Sequence, residues 1–278
     1  MSATANPRRI LIKFGGNSLS GEGDLDNFVE DLGKLISQGF QLVLVHGGGP
    51  EISSEMERRG LAVRKVAGLR ITDAAALDVA DDVLSNINAR VVNALLAAGI
   101  NAKGVSAAEI GVICDKKAPV QAMENGQAIK VDLGNVGDIT HVREAKLRLM
   151  LERNEVPVIY PIGADLDGNL YNVNADTVAA FVACSVGAGE LILLTDVPGI
   201  LREGQGTSEV INAISLDNLD ELIDGGIITG GMIPKVEACR DALSHGVGAV
   251  HMLNGREPHS IVRKLMDAEG IGTTITRG

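Results

Sequence analysis

Four strongly apolar runs, each followed by glycine or polar residues, constrain the fold of this chain most. They read RILIKF at 9–14, FQLVLVH at 40–46, VPVIYPIG at 156–163 and ELILLTDVPGI at 190–200. Short, nearly continuous apolar runs are typical of strands buried on both faces, as in a parallel sheet covered by helices. Helical patterns stand between the runs, so the sequence predicts an α/β fold.

The predicted helices follow from spacing and from their end signals. Residues 24–39 and 72–99 repeat apolar side chains at intervals of three and four. Residues 50–60 begin with proline and end in glycine, which is the usual asymmetry of a helix. Further helices are predicted at 141–154, 177–189, 215–226, 231–247 and 258–270, and an edge strand is predicted at 272–278.

The middle of the chain departs from this alternation. Asn125-Gly126 and Asp167-Gly168 separate short strand-like runs, and such pairs favour hairpin turns. The sequence therefore predicts a three-layer αβα sandwich around a mainly parallel open sheet, with β-hairpin excursions. Because no Pro/Ser-rich linker divides it, we predict a single domain over 1–278 with two lobes, about 1–180 and about 181–278.

Composition narrows the class of function. The 278-residue chain is 45% hydrophobic and has a formal net charge of -11, and this acidic balance disfavours nucleic acid as a partner. The apolar runs are far shorter than the roughly 20 residues of a membrane-spanning helix, and the N-terminus has no apolar signal segment. The three cysteines are scattered without disulfide or metal spacing. We therefore expect a cytoplasmic protein that binds small molecules, no nucleic acid and no membrane.

Glycine and polar residues cluster where the predicted strands end. The clusters are KFGGNS at 13–18, HGGGP at 46–50, NVNAD at 172–176, TDVPG at 195–199 and GGMIPK at 230–235. In open α/β sheets, ligands bind beyond the carboxyl ends of the strands. The clustering therefore predicts a binding site at that edge of the sheet.

Lysines in two of these clusters indicate the chemistry. Lys13 belongs to an otherwise apolar strand, and a buried ammonium group needs a strong partner. Lys235 follows GGMIP at the start of a predicted helix. Glycine-rich turns that lead into helices bind anions, although no Walker A or G-x-G-x-x-G spacing occurs here. Several such turns with two lysines predict phosphate chemistry.

Six motifs occur in an order that resembles the amino acid kinase family. They are KFGG at 13–16, HGGGP at 46–50, GLRITD at 68–73, YNVNAD at 171–176, LLTDVPGI at 193–200 and GGMIPK at 230–235. DLGNVG at 132–137 adds to the resemblance, which extends from about Ile10 to Ile275. It implies an αβα sandwich with the acceptor bound in the N-terminal half and ATP in the C-terminal half.

The resemblance also implies an activity. The expected reaction is ATP-dependent phosphorylation of the side-chain carboxylate of N-acetyl-L-glutamate to N-acetyl-L-glutamyl 5-phosphate, the second step of arginine biosynthesis. Mg²⁺ would accompany ATP without assigned protein ligands, and the expected assembly is a homodimer or a dimer-based hexamer.

The resemblance assigns roles position by position. Lys13 and Lys235 match two lysines that stabilise the transition state, and Asp176 matches the aspartate that holds them. The acceptor-binding positions are Gly48, Gly49, Arg70 and Asn172. The nucleotide-binding positions are Gly15, Gly16, Thr195, Asp196, Gly199, Leu201, Ile227, Ile228, Thr229, Gly231 and Met232.

The residue types suit this chemistry. A side-chain carboxylate is already ionised at neutral pH, so no general base is needed, and His46 is expected to shape the glycine loop. Asp176 also stands where a helix N-cap would stand, and Arg70 could be a surface charge.

Two rival functions remain open at this point. One is a carboxylate kinase acting on carrier-protein-linked aminoadipate or glutamate. The other is a non-catalytic nucleotide or amino-acid sensor on the same fold.

Overall fold

The computed structural model describes residues 8–15, 19, 21, 23–124, 127–203, 208–267 and 270–278. Within these residues the strands are β1 Arg9–Phe14, β2 Gln41–His46, β3 Lys65–Val66, β4 Leu69–Arg70, β5 Ala102–Ser106, β6 Val112–Lys116, β7 Val120–Glu124, β8 Gln127–Val131, β9 Gly137–Val142, β10 Val156–Tyr160, β11 Ile162–Ala164, β12 Leu170–Asn172, β13 Glu190–Thr195, β14 Leu201–Glu203, β15 Ser208–Val210, β16 Ala213–Ser215, β17 Ala249–Asn254 and β18 Thr273–Thr276. The helices are α1 Asp24–Ser37, α2 Gly49–Arg58, α3 Ala74–Ala97, α4 Ala145–Glu152, α5 Ala175–Val186, α6 Leu219–Asp224, α7 Ile233–Ser244 and α8 Ser260–Leu265, with 3₁₀ turns at Leu216–Asn218 and Gly230–Met232.

A mainly parallel sheet forms the centre of the molecule. Its strand order is β16-β18-β17-β13-β1-β2-β10-β5. The strands from β17 to β5 are parallel, whereas β18 is antiparallel to β17. The predicted edge position of the C-terminal strand is wrong, because β16 pairs with β18 and covers its outer edge.

Alternation along the central strands gives the sheet two buried faces. Leu11 packs on one face with residues of α5 and α7. Ile10 and Ile12 pack on the other face with residues of α1, α3 and α8. The predicted three-layer αβα sandwich is therefore confirmed. Since successive strand residues point to opposite faces, Lys13 shares the α5 face with Leu11.

Several predicted elements have different bounds from those expected. The helices predicted at 215–226 and 258–270 are the shorter α6 and α8, and two further differences come from strand pairing. The run 156–163 divides at Pro161: β10 stays in the central sheet, and β11 joins a second sheet of order β12-β11-β6-β9. Proline has no N–H for the ladder, which explains the break. The helix predicted at 141–154 is the shorter α4, because His141 and Val142 pair with β6 as the end of β9.

The hairpins carry part of the site. β11 and β12 pair antiparallel around the predicted Asp167-Gly168 turn, where Gly168 has φ +88°. Asn125-Gly126 lies outside the described residues, between β7 and β8, which pair antiparallel. A further hairpin, β3–β4, turns at Ala67 and Gly68 with φ of 49° and 78°. Among the described residues, none of the helices is both long and apolar enough to cross a membrane.

Candidate active site

A cleft of about 360 Å³ lies beyond the carboxyl ends of the central strands. Its volume is in the range of small-molecule pockets. All five predicted glycine-rich clusters contribute to its lining, which includes Lys13, Gly47 to Pro50, Asn172 to Asp176, Leu194 to Asp196 and Lys235. The sequence prediction of one binding site at this edge therefore agrees with the geometry.

Two lysines meet one carboxylate in this cleft. Lys13 Nζ lies 2.8 Å from Asp176 Oδ1, and Lys235 Nζ donates a 2.9 Å hydrogen bond to Asp176 Oδ2. The Asp176 Oδ1 atom that Lys13 approaches is buried, so this ion pair is shielded from water. Lys13 and Asp176 are each 6% exposed, while 22% of the Lys235 side chain is exposed.

Local structure explains this meeting. Asn174 caps α5, since its side-chain oxygen accepts from the N–H groups of Asp176 and Thr177. The alternative of Asp176 as the N-cap is therefore wrong, and its carboxylate is left for the lysines. Lys235 lies in the first turn of α7, where the helix dipole disfavours a cation, and Asp176 compensates for that position.

The charges of the three groups depend on one another. Burial alone would raise the pKa of Asp176, but the two ammonium groups outweigh it and lower this pKa to about 2. Burial lowers the pKa of Lys13, with Asp176 opposing the shift. Burial also acts against the charged form of Lys235, but Asp176 outweighs it and raises the Lys235 pKa. An anion in the cleft would favour the charged form of Lys13.

The glycine loop after β2 places a helix N-terminus at the cleft. Gly48 occupies the N-cap of α2 and supplies no side-chain cap, so the N–H groups of Gly49 and Glu51 can bind an anion, whereas Pro50 between them has none. A Cβ on Gly48 would lie 2.7 Å from Ile87 Cδ1, whereas a Cβ on Gly49 would meet no described atom within 4 Å. A side chain at 48 would therefore displace the ends of the Ile87 and Leu84 side chains of α3, whereas one at 49 would meet open space.

Arg70 is a buried cation without an acidic partner among the described residues. Only 8% of it is exposed, and burial lowers its pKa. Its Nη2 donates to Gly49 O at 2.9 Å and to Ser53 Oγ at 2.8 Å, which ties the β3–β4 hairpin to α2. The alternative of Arg70 as a surface charge is wrong, and its position on the cleft suits an anionic ligand group.

His46 is buried and bonded at both ring nitrogens. Nδ1 bonds Gly47 O at 3.0 Å, and Nε2 lies 3.1 Å from Asn88 Nδ2. Because the amide of Asn88 donates, Nε2 accepts and Nδ1 carries the proton. Burial lowers the pKa of His46 to about 4. The neutral ring therefore shapes the glycine loop, as expected from the sequence.

The predicted nucleotide positions divide into two groups. Gly15, Thr195 and Asp196 line the cleft, and Gly16 lies outside the described residues. The other positions are not part of the cleft lining: Gly199 lies in the turn after β13, Leu201 begins β14, and Ile227, Ile228, Thr229, Gly231 and Met232 lie between α6 and α7. Ile228 is 1% exposed and belongs to the core.

The structure adds residues that the sequence reasoning did not single out. Lys65, cross-strand from Arg70, and Val136 of DLGNVG line the cleft. An exposed lysine on a two-residue strand gives no signal in a single sequence. Val136 belongs to the DLGNVG motif, but the other residues that line the cleft come from distant segments, so the motif alone does not place it there.

Within the described ranges, no group of three or more His, Cys, Asp or Glu side chains is placed to hold a metal ion. Cys114, Cys184 and Cys239 are free thiols. The carboxylates of the cleft lining are Asp176, which both lysines engage, and the exposed Asp196.

Comparison with known proteins agrees with this geometry. The sequence pattern of the amino acid kinase family matches residues 8–254. The chain is 40% identical over 273 residues to the acetylglutamate kinase of Methanothermobacter thermautotrophicus, covering 97% of this chain and 93% of the relative.

Two solved structures illustrate the shared fold. A protein from Streptococcus mutans UA159 superposes with a TM-score of 0.79 at 30% identity, covering 97% of this chain and 99% of that one. N-acetylglutamate synthase from Neisseria gonorrhoeae gives a TM-score of 0.83 at 24% identity, covering 98% of this chain and 60% of that one.

Kinase chemistry implies ATP as the phosphoryl donor. The family pattern covers most of the chain, and the 40% identity extends over nearly all of it. The chain therefore belongs to the amino acid kinase family.

Proposed function

We propose that this protein transfers the γ-phosphoryl group of ATP to the side-chain carboxylate of N-acetyl-L-glutamate, as the second step of arginine biosynthesis. The observation that carries the proposal is the buried Lys13–Asp176–Lys235 cluster at the end of the central strands. The acetylglutamate kinase relative, similar over nearly the whole chain, supports this choice of acceptor.

The reaction needs charge neutralisation more than proton transfer. An oxygen of the ionised acceptor carboxylate attacks the γ-phosphorus and forms the new O–P bond. The bond from that phosphorus to the β–γ bridging oxygen breaks, and the electron pair leaves with ADP. No proton moves in this step. This fits the site, because both ring nitrogens of His46 are bonded and neither is free to act as a base. Positioning and electrostatic stabilisation therefore account for the rate.

The two lysines would act on different oxygens. Lys13 comes from the N-terminal half and would stabilise the transferring phosphoryl group, helped by the N–H groups at the start of α2. Lys235 comes from the C-terminal half and would stabilise charge on the ATP side. Asp176 would hold both ammonium groups in place through the two contacts described.

Acceptor binding is assigned to the wall made by Gly48, Gly49, Arg70 and Asn172. Arg70 presents a guanidinium group whose charge, with the N–H groups not bonded to Gly49 O and Ser53 Oγ, can bind a carboxylate, here the α-carboxylate of the acceptor. Its lack of an acidic partner in the described chain means that a bound anion would compensate for its burial. Gly48 and Gly49 would let the backbone approach the acceptor and the arriving phosphoryl group.

The nucleotide is assigned to the opposite wall. Thr195 and Asp196 lie on the cleft, and Gly199, Leu201 and residues 227–232 adjoin it in sequence. Mg²⁺ is expected with ATP. Because the described residues offer no cluster of metal ligands, nucleotide oxygens and water would hold it.

The proposal includes the organisation of the chain. Residues up to about 180 would form the acceptor lobe, and those from about 181 the ATP lobe, of a cytoplasmic homodimer or dimer-based hexamer.

One assay tests the proposed function. ADP release is measured with N-acetylglutamate, glutamate, aspartate, carbamate and UMP in parallel, and we expect turnover with N-acetylglutamate above the others. Turnover on a different acceptor, with none on N-acetylglutamate, would overturn the assignment. The carrier-protein kinase and the sensor are not favoured, because the similar relative is an acetylglutamate kinase and the lysine–aspartate cluster is complete.

A further inference from the structure

We propose that Thr72 is a positioning residue that fixes Arg70 and Asn172 relative to each other, with DLGNVG as its partner segment. The inference rests on the proposed function, because it gives that site an additional residue for acceptor binding. Thr72 is fully buried at 0% exposure and does not line the cleft. It therefore acts through its neighbours.

The hydroxyl of Thr72 connects the two proposed acceptor residues. Its Oγ1 donates to Arg70 O at 3.0 Å. The same oxygen accepts from Asn172 Nδ2 at 3.3 Å. Residue 172 is separated from residue 72 by 100 positions in sequence, so this single hydroxyl links two distant parts of one wall.

The backbone of Thr72 forms a second connection through DLGNVG. Thr72 N donates to Leu133 O at 2.8 Å, and Asn135 N donates to Thr72 O at 2.6 Å. Asn172 N in turn donates to Asn135 O at 2.9 Å. Residues 132–137 therefore lie between the Arg70 strand and the Asn172 strand and bond to both.

Gly134 shows how closely these segments approach. It has φ +75°, and a Cβ there would lie 2.4 Å from Thr72 O. The motif therefore requires glycine for both its conformation and its space. This packing gives DLGNVG a function: it sets the distance between the hairpin that carries Arg70 and the strand that carries Asn172.

The test uses kinetic constants for both substrates. Thr72→Val removes the hydroxyl at nearly constant shape and leaves Arg70 O and the Asn172 amide without that partner. We expect the KM for the acceptor to rise roughly tenfold, as for one lost buried hydrogen bond, while the KM for ATP changes less than about twofold. Thr72→Ser, which keeps the hydroxyl, should restore most of the acceptor KM.

Thr273→Val is the matched control. Thr273 is also at 0% exposure, and its Oγ1 accepts from Ile200 N at 2.8 Å, in the turn that follows β13. Its removal is an equal chemical change at the turn after β13, away from Arg70 and Asn172 in the hydrogen-bond network. We expect it to leave the acceptor KM within about twofold of wild type, the margin set for ATP in Thr72→Val.

Several results would overturn the proposal. They are an equal rise of both KM values in Thr72→Val, an acceptor KM that Thr72→Ser does not restore, and the same acceptor effect in Thr273→Val. If Thr72→Val does not fold, Thr72→Cys replaces it, since a thiol is only a weak hydrogen-bond partner.

The proposed function and this inference can fail separately. If the wild type phosphorylates another acceptor of the panel, the assigned substrate is wrong, and the same comparison with that acceptor still decides the role of Thr72. Calorimetric Kd values for the acceptors and ATP give the comparison without turnover. If the wild type binds none of the acceptors, both proposals are overturned.

Discussion

The two walls of the cleft are built differently. We define the acceptor-side wall as Gly48, Gly49, Arg70 and Asn172. Hydrogen bonds connect its segments, for example from Arg70 to Gly49 and from Asn172 to Asn135. In the nucleotide-side wall, defined as Thr195, Asp196 and Lys235, the hydroxyl of Thr195 closes its own turn by bonding Val197 O at 2.6 Å. Asp196 is exposed.

This difference concerns preorganisation. Hydrogen bonds between distant segments hold the acceptor wall in one arrangement before any ligand binds, which favours recognition of a small rigid group. In the nucleotide wall, Lys235 and Thr195 also bond to distant segments, at Asp176 and Leu253, but Asp196 is exposed and the turn after Thr195 closes on itself. The lysine–aspartate cluster joins the two walls, and changes there should affect the chemical step more than either binding step.

The largest effect is expected from breaking the lysine–aspartate cluster, the junction that joins the two walls. Asp176→Asn would leave the buried ammonium group of Lys13 and the partly exposed one of Lys235 without a carboxylate between them. We expect the free energy of unfolding to fall by about 3–5 kcal/mol and kcat to fall roughly 1000-fold. Urea denaturation and ADP release measure the two. Asp196→Asn, an exposed carboxylate of the same cleft, is the control and should keep wild-type stability; equal losses in both variants would contradict the proposed junction.

The next effect separates chemistry from binding. Lys235→Ala should lower kcat about 100- to 1000-fold, because a cation aimed at developing charge is removed. The acceptor KM should change much less, since Lys235 lies on the other wall. Steady-state kinetics with both substrates measure this, and Lys34→Ala, which removes an exposed lysine paired with Glu30, controls for lost charge. An unchanged kcat would remove Lys235 from the transition state.

A smaller effect tests the acceptor-side wall alone. Arg70→Ala should raise the acceptor KM roughly 10- to 100-fold, the range of a lost charge-assisted hydrogen bond. The KM for ATP should stay near its wild-type value. Arg70→Lys should recover little, because an ammonium group lacks the planar fork of the guanidinium. If only the ATP affinity moved, the role assigned to Arg70 would be wrong.

The pH dependence of the unfolding free energy tests whether the two lysines stabilise the charged form of Asp176. The Asp176 pKa in the folded chain is about 2, below the ordinary value of about 3.9. A depressed carboxyl pKa stabilises the fold above that ordinary value, and this contribution is lost as the pH falls through about 2. The difference in unfolding free energy between wild type and Asp176→Asn should therefore shrink as the pH falls from about 5 to about 2. A constant difference would mean that Asp176 is not held by the lysines.

The smallest expected effect distinguishes two neighbouring glycines. Gly48→Ala would press a Cβ against Ile87 and Leu84 of α3 and should lower the free energy of unfolding by about 1–2 kcal/mol. Gly49→Ala meets open space and should keep the stability of the wild type. Thermal unfolding measures both. Equal destabilisation by the two substitutions would show that the loop is limited by backbone conformation instead of packing.

Sequence patterns predicted much of the architecture. The four apolar runs became β1, β2, β10 with β11, and β13, and the two segments with helical spacing, 24–39 and 72–99, became α1 and α3. These predictions succeed because burial on both faces and helical spacing are local properties of the chain. The errors at residues 141–164, at Ser215 and at the C-terminal strand occur where pairing with a distant strand fixes the boundaries.

For the site, the sequence indicated which strand ends gather and left open how their residues contact one another. Glycine-rich strand ends with Lys13 and Lys235 indicated a phosphate site, since strand order brings all carboxyl ends to one edge. Only the tertiary structure decided that Asn174 caps α5 while Asp176 faces two lysines, that Arg70 bonds to α2, and that Thr72 connects two strands 100 residues apart. Such contacts depend on distances between elements that are remote in sequence, and no local pattern records those distances.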